Sequence, residues 1–177
     1  MDKKSVSIEE IWPQERDVIM RPERYKYVRK IVAPTECVFC AAAKSEISFE
    51  SLCIYKSQHS MVVLNKYPYN SGHTLVLPLR HVGDLIDLSE EEYTDLSETK
   101  LLTLKVLKKV YDSSQGFNIG MNHGKIAGAG IPEHLHWHII PRWLGDTNFF
   151  PLIGETKVLP ESLEQSYEKI KEGFDEI

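Results

Sequence analysis

His134, His136 and His138 alternate with apolar residues in the segment His134–Ile140. Successive side chains of a β-strand point to opposite faces, so this spacing places the three imidazoles on one face, roughly 6.6 Å apart. Three interpretations exist: a satisfied polar stripe, a three-histidine metal site of the catalytic zinc type, or a nucleophile that attacks phosphorus with helper groups. Crowded imidazoles repel when protonated and lose solvation when buried, which disfavours the first. The histidines alone leave the other two open.

The glycine-rich loop before the histidines bears on this choice. Residues 124–130, Gly-Lys-Ile-Ala-Gly-Ala-Gly, lead directly into the histidine segment. Glycines and small residues let backbone N–H groups approach an anion closely, as nests and phosphate loops do. Glycines also form ordinary turns, so the loop is a weak signal by itself. Together with three histidines on one face, it favours chemistry on a phosphate group.

Three cysteines cannot all pair, and two of them, Cys37 and Cys40, are separated by only two residues. In a reducing compartment this spacing indicates metal or redox chemistry before a structural disulfide. Thioredoxin-like chemistry places the motif before a long helix in a βαβ unit, a pattern that this sequence lacks. Zinc needs two further ligands, and His81, just past a predicted strand, is one candidate. Cys53 lies in an apolar stretch and is predicted to be a buried strand thiol.

Turn signals and periodicity predict the elements that position these residues. Strands are predicted at Leu52–Tyr55, Ser60–Asn65, His73–Pro78, Gly116–Asn122 and His134–Pro141. Because hairpin-like strand pairs flank one long helix, the pattern indicates an α+β fold with an antiparallel sheet.

Helix signals are clearest after residue 88. Ser89 is followed three residues later by Glu92, as in a capping box, and an apolar stripe continues to about Asp112. A second amphipathic helix closes the chain, with its apolar face at Leu163, Tyr167, Ile170 and Phe174. A short helix is expected around residues 41–43, next to the cysteine pair.

Length and charge narrow the possible classes of protein. A chain of 177 residues favours one domain, and we predict an N-terminal arm at residues 1–33 and a single domain at residues 34–177. The net charge of −5 argues against nucleic acid or an anionic membrane as the main partner, because both reward a basic surface. The chain has no stretch that reads as a signal peptide or a membrane span, so a cytoplasmic location is predicted.

The segment His134–Ile140 resembles the signature of the histidine-triad (HIT) family, in which three histidines alternate with apolar residues. Two upstream segments, 63–65 and 71–76, resemble the family block that ends in Pro-Gly-His, with Ser71 in place of the usual proline. This departure is expected to leave the turn intact. Asn122 and Gly124 are similar to the family block before the glycine-bearing loop.

Further segments are similar to one branch of that family, the diadenosine tetraphosphate phosphorylases and hydrolases. They are residues 67–70, 116–120, 141–146 and 148–149. In the arm, residues 20–28 loosely resemble the branch motif Trp-x-Pro-x-Arg-x-x-Tyr-Ile, with Met20 in place of the tryptophan. A histidine rather than a glutamine at the third triad position, His138, argues against the nucleotide-sugar transferase branch.

The resemblance implies a mechanism in which His136 attacks the α-phosphate and forms a nucleotidyl-histidine, which water or phosphate then resolves. His138 would contact the phosphate or the leaving-group oxygen, and His73 would support the triad. A backbone carbonyl near His134 would hold the proton on one ring nitrogen of the nucleophile. Because that imidazole must be neutral, activity is expected to fall below about pH 6.5.

The resemblance also implies nucleotide contacts. Asn65 is expected to meet the ribose, and Asn122 to lie beside the phosphates. Gly128 belongs to the same loop, in which the N–H groups of Ala129 and Gly130 would stabilise the developing charge.

The resemblance further implies a structural zinc held by Cys37, Cys40, His81 and His134, a closed tetrahedral set suited to structure rather than to catalysis. A sheet of about five strands and a homodimer are likewise expected from it. His59 is interpreted as an exposed turn residue, and His123 as a loop residue that could approach the substrate.

Other functions remain open at this stage. Within the family, the alternative is a nucleoside phosphoramidate hydrolase. From other classes, the alternatives are a metalloprotein with the three histidines as ligands of a catalytic metal, and a non-catalytic nucleotide sensor or interaction module.

Overall fold

A computed structural model describes residues 36–148 and 158–177. The predicted N-terminal arm at residues 1–33, its resemblance to the branch motif and Phe149 lie outside the described residues. The arm and the single domain at residues 34–177 therefore stay predictions. No helix of the described ranges is both long enough and apolar enough to cross a membrane.

Five antiparallel strands form one sheet in the order β1-β2-β3-β5-β4. The strands are β1 (Cys53–Lys56), β2 (Ser60–Leu64), β3 (Thr74–Pro78), β4 (Gly116–Gly120) and β5 (Trp137–Arg142). The α+β fold with a five-stranded antiparallel sheet is thus confirmed.

Three α-helices cover this sheet: α1 (Val38–Lys44), α2 (Glu90–Val110) and α3 (Leu163–Asp175). Ser89 caps α2 through a capping box with Glu92, as predicted. Ser162 and Gln165 form a second capping box, at the start of α3. A short 3₁₀ helix, Leu85–Asp87, leads from β3 towards α2.

The sheet has an apolar cluster on each face. All residues of β2 and β3 are buried, which explains why these strands read as continuous apolar runs. Val62 and Val76 belong to the cluster under α2 and α3, whereas Val63 and Leu75 pack with Phe39 of α1. Residues on successive positions thus face opposite layers, as the pleat of a strand requires.

The candidate site residues lie on the same face of the sheet as α1. His138 pairs with Leu75 across β3 and β5, and cross-strand partners share a face. His73 and Asn65 lie two positions from Leu75 and Val63, so they project to this same face. The predicted alternation therefore holds at β5, where Ile139 is buried in the opposite cluster.

Two strand boundaries differ from the prediction in ways that affect the site. The strand predicted at His134–Pro141 begins only at Trp137, because residues 131–134 form a turn in which the His134 N–H bonds to the Ile131 carbonyl. The first strand begins at Cys53 rather than Leu52, because Leu52 adopts a left-handed backbone with a φ of 57°. His134 and His136 therefore precede the ladder instead of belonging to it.

Candidate active site and metal site

Two cysteines and two histidines converge beside the sheet and form what we call the metal cluster: Cys37, Cys40, His81 and His134. Their ligand atoms all lie within 4.8 Å of one another. Cys37 is the N-cap of α1 and Cys40 lies one turn later, so both thiols face the same side. His81 follows β3, and His134 precedes β5. Four remote points of the chain thus meet at one place.

Distances within the cluster fit a tetrahedral metal ion. Nδ1 of His134 lies 3.5 Å from Sγ of Cys37 and 3.7 Å from Sγ of Cys40, and Nδ1 of His81 lies 3.2 Å from Sγ of Cys40. Tetrahedral zinc with ordinary Zn–S and Zn–N bonds separates sulfur and nitrogen ligands by about 3.6 Å. The donor set and its spacing therefore suit a closed structural metal site.

The ring of His134 is oriented for coordination. Its Nε2 donates to the Pro78 carbonyl across 2.9 Å, which leaves the lone pair on Nδ1, towards the cysteines. Burial lowers the pKa of His134, which favours the neutral form that binds metals. Burial, and then the neighbouring Cys37, raise the pKa of the Cys40 thiol, so a cation is needed to favour its thiolate.

His136 carries its proton on a defined ring nitrogen. Nδ1 of His136 donates to the His134 carbonyl across 2.8 Å, so the Nε2 of the neutral ring carries a lone pair. The ring is 6% exposed and packs 5.2 Å from the ring of Phe39. Burial lowers its pKa, which the hydrogen bond only partly offsets. The acid limit of activity is consequently expected below the pH of about 6.5 inferred from an unperturbed histidine.

His138 belongs to a chain of hydrogen bonds with a fixed direction. The Tyr69 N–H donates to Nδ1 of His73 across 3.0 Å, so the proton of a neutral His73 lies on Nε2. That Nε2 lies 2.8 Å from Nδ1 of His138 and donates to it. The proton of a neutral His138 is therefore on Nε2. The neighbouring histidines thus carry opposite tautomers: a lone pair at Nε2 of His136 and a proton at Nε2 of His138.

Burial keeps His73 neutral. The side chain has no exposed surface, and burial, with smaller effects from His138 and His136, lowers its pKa to about 3. The amide nitrogen of Asn65 lies 3.2 Å from Nδ1 of the same ring, while its oxygen accepts from the Tyr67 N–H. Asn65 thus contacts the histidine chain, and the ribose contact expected from the sequence stays a prediction.

The sequence of this chain is also similar to a family of known proteins. A family model described as HIT domain matches residues 46–143, more than half of the chain. The chain belongs to the HIT domain family.

Relatives of this HIT domain include enzymes named for dinucleotide substrates. The AP-4-A phosphorylase of Mycobacterium tuberculosis is 43% identical over 114 residues, which cover 64% of this chain and 58% of the phosphorylase. The asymmetrical bis(5'-nucleosyl)-tetraphosphatase of Schizosaccharomyces pombe is 38% identical over 102 residues, which cover 58% of this chain and 55% of that enzyme. The matched region therefore spans little more than half the length of either relative.

A solved structure gives the same fold. A zinc-bound histidine triad family protein from Mycobacterium smegmatis has a TM-score of 0.63 with this chain at 25% identity. The similarity covers 80% of this chain and 94% of that protein.

The glycine loop of this HIT domain is a compact turn. Gly124 and Gly128 have φ values of 84° and 93°, which other residues rarely adopt. The Ala129 N–H donates to the Gly124 carbonyl across 3.2 Å, so this amide is already engaged within the loop. The side chain of Asn122 lies beside Gly128. The described contacts bring Asn122 to the loop, and the phosphate contacts expected of Gly128, Ala129 and Gly130 stay a prediction.

Three further residues of the HIT domain have defined places. Nε2 of His123 lies 3.3 Å from Oδ1 of Asp84, so this histidine contacts the segment after β3. His59 is half-buried in the β1–β2 turn rather than exposed, and its carbonyl accepts from the Leu79 N–H. Cys53 has no exposed surface, which confirms the predicted buried thiol.

Sequence reasoning missed several residues that shape the site. The ring of Phe39 packs against both His134 and His136, with ring centroids 5.4 and 5.2 Å away. Tyr69 supplies the N–H that determines the His73 tautomer, and its ring stacks within 6.0 Å of His138. Tyr69 belongs to a segment that resembled the family branch. Its role could not be predicted from the residue type, because the donor is its backbone N–H.

Proposed function

We propose that this chain cleaves dinucleoside polyphosphates at the α-phosphate, with a nucleotidyl-histidine intermediate at His136. The opposite tautomers of His136 and His138 carry this proposal. A nucleophile needs an unprotonated nitrogen, and a departing oxygen needs a proton donor. A hydrogen bond at Nδ1 holds each tautomer: Nδ1 of His136 donates to the His134 carbonyl, and Nδ1 of His138 accepts from Nε2 of His73.

In the first step, Nε2 of His136 attacks the α-phosphorus. The N–P bond forms as the bond to the bridging oxygen breaks, and that oxygen leaves with the electron pair. Nε2–H of His138 donates to the departing oxygen and so stabilises the charge that develops there. The His134 carbonyl, which accepts from Nδ1 of His136, stabilises the positive charge that the attacking ring acquires.

In the second step, water or inorganic phosphate attacks the phosphorus and the N–P bond breaks, returning the electron pair to Nε2 of His136. The proton of the attacking water or phosphate is released to solvent, while Nε2–H of His138 keeps its hydrogen bond to an oxygen of the reacting phosphate. Attack by water releases a nucleoside monophosphate, and attack by phosphate releases a nucleoside diphosphate. The names of the phosphorylase and tetraphosphatase relatives support the substrate class, while the choice between the two acceptors is left to experiment.

Zinc is the ion that we propose for the metal cluster, because two thiols and two imidazoles in a closed tetrahedral arrangement are the ligands that structural zinc prefers. A bound zinc would clamp α1 to the segment before β5. The side chain of His134 is thereby assigned a structural role as a zinc ligand, and only its backbone carbonyl contacts His136. The zinc-bound relative of the same fold supports this assignment.

We propose a homodimer, no nucleic-acid partner and a cytoplasmic location, as expected from the sequence. β4 is one edge of the sheet, and Ile119 on this strand is 49% exposed. An edge strand offers unpaired backbone groups that a second copy can satisfy. Light scattering should give a dimer mass for the wild-type chain and a smaller mass for Ile119→Asp; a monomeric wild type would contradict the dimer.

Identification of the products from diadenosine tetraphosphate tests the reaction. With phosphate present, ADP and ATP indicate phosphorolysis, whereas AMP and ATP indicate hydrolysis. A parallel reaction with an adenosine phosphoramidate tests the related alternative, because the same two histidines suit cleavage of a P–N bond. Tight nucleotide binding without turnover of either substrate would contradict the enzyme and favour a sensor.

A further inference from the structure

Asn70 and Asp146 are 76 residues apart in the chain and in direct contact in the fold. Nδ2 of Asn70 donates to Oδ2 of Asp146 across 2.9 Å and to the Pro141 carbonyl across 3.0 Å. Asn70 is 4% exposed; its hydrogen bond to the Pro141 carbonyl is buried, and the one to Asp146 is partly buried. A buried amide with two such partners is held in one orientation.

Asp146 is itself held at the end of β5. Nε and Nη2 of Arg142 donate to its two carboxylate oxygens across 2.6 Å each. The Trp143 N–H donates to Oδ2 across 3.2 Å. A two-pronged guanidinium contact determines the orientation of a carboxylate as well as its position. Asp146 thus presents Oδ2 to Asn70 from a rigid support.

Asn70 lies in the turn 69–73 that determines the tautomer of His73. The Asn70 carbonyl accepts from the His73 N–H across 3.2 Å, and the preceding Tyr69 N–H bonds to Nδ1 of that histidine. Asn70 therefore links this turn to the end of β5: its backbone belongs to the turn, and its side chain bonds to Pro141 and Asp146.

We propose that Asn70 and Asp146 are positioning residues for the reaction, an inference that rests on the proposed function. By anchoring the turn, they keep the Tyr69 N–H on Nδ1 of His73 and the proton of His138 on Nε2. If the turn shifted, only the Asn65 amide would still donate to Nδ1 of His73. In a share of the molecules Nδ1 would then carry the proton, and Nε2 would present a lone pair to His138. The proton of His138 would move to Nδ1, and Nε2 would no longer donate to the departing oxygen.

The test compares Asn70→Ala and Asp146→Ala with the wild type by kinetics and by NMR of ¹⁵N-labelled histidines. With diadenosine tetraphosphate, kcat is expected to fall roughly 10- to 100-fold while the dissociation constant of AMP changes little. In the wild type, the ring resonances should show His73 and His138 protonated at Nε2. In both variants they should show a mixture of tautomers. Asp146→Asn, which retains the shape and an acceptor oxygen, should give a smaller loss.

Thr99→Val is the matched control, because it removes the hydrogen bond that the buried Thr99 of α2 donates to Ser57 without touching the turn 69–73. It should lower stability and leave kcat and the histidine tautomers unchanged. The inference is overturned if Asn70→Ala and Asp146→Ala retain wild-type tautomers, or if their loss of kcat matches only their loss of folded protein. Should Asn70→Ala not fold, Asp146→Ala and Asp146→Asn decide by the same criteria.

The two proposals fail in different ways. A wild-type chain that cleaves neither diadenosine tetraphosphate nor adenosine phosphoramidate contradicts the proposed function. The NMR comparison needs no turnover, so it still shows whether Asn70 and Asp146 hold the histidine tautomers. Active wild type with unchanged tautomers in the variants overturns the positioning role alone.

Discussion

The carbonyl oxygen of His134 lies 2.8 Å from Nδ1 of His136 and accepts its hydrogen bond. The side chain of His134 belongs to the metal cluster, while its backbone determines the tautomer of the proposed nucleophile. One residue therefore couples the cluster to the proposed reaction, and the prediction for Cys40→Ser below depends on that coupling.

Replacing His136 by alanine should abolish turnover and preserve nucleotide binding. The variant lacks the attacking nitrogen, so kcat is expected to fall by about 10³-fold or more. Steady-state assays and calorimetric titration with AMP measure the two properties. Metal content should remain that of the wild type, because His136 is not in the cluster. A variant of near-normal activity would contradict the nucleophile, and one without metal would favour a metal bound by the triad.

Replacing Cys40 by serine should remove the metal and destabilise the protein. Loss of a structural metal is among the largest single-site effects, on the order of 4 kcal/mol in unfolding free energy. Elemental analysis and urea unfolding measure these properties, and kcat should fall as well because the His134 carbonyl loses its support. Cys53→Ser is the control, since this buried thiol lies outside the cluster and its replacement should retain the metal. Equal metal content in both variants would contradict the site.

Acidification should destabilise the fold in part through His73. Its pKa is about 3 in the folded protein and near 6.5 in an unfolded chain, so between these values the unfolded state binds more protons. Unfolding free energy should therefore decrease as the pH falls from 6.5 towards 3, by up to about 1.4 kcal/mol per pH unit from this residue. Urea titrations at several pH values measure the slope. His73→Gln should show a shallower slope, and an equal slope would assign the effect to other groups.

Replacing Gly72 by alanine should be more destabilising than most glycine substitutions. Gly72 has a φ of 71°, and an added Cβ would lie 2.4 Å from the ring of Tyr111. Left-handed strain and overlap together should cost about 2 kcal/mol or more. Gly116→Ala is the control, because that position has open space around it. Thermal unfolding compares the two variants, and equal losses of stability would contradict the close approach.

The sequence predicted the fold where local signals and burial agree. Ser89 and Glu92 predicted the start of α2, and the alternation of histidines with apolar residues predicted that His138 and Ile139 face opposite sides of β5. The turn at Ser71 and Gly72 is intact despite the missing proline, because the positive φ of Gly72 suffices to form it. The ends of strands were less well predicted. His134 and His136 continue the alternating pattern of a strand, but they have no ladder partners on β3 or β4.

Residue types and spacing by themselves determined that this chain carries a row of imidazoles next to a permissive glycine loop, and a cysteine pair suited to a metal. The tertiary structure decided what each imidazole does. It brought Cys40 within 3.7 Å of a histidine 94 residues later, and it set the tautomers of His136 and His138 through partners from other segments. A side chain's type is local, whereas the hydrogen-bond partner that directs its proton comes from wherever the fold places it.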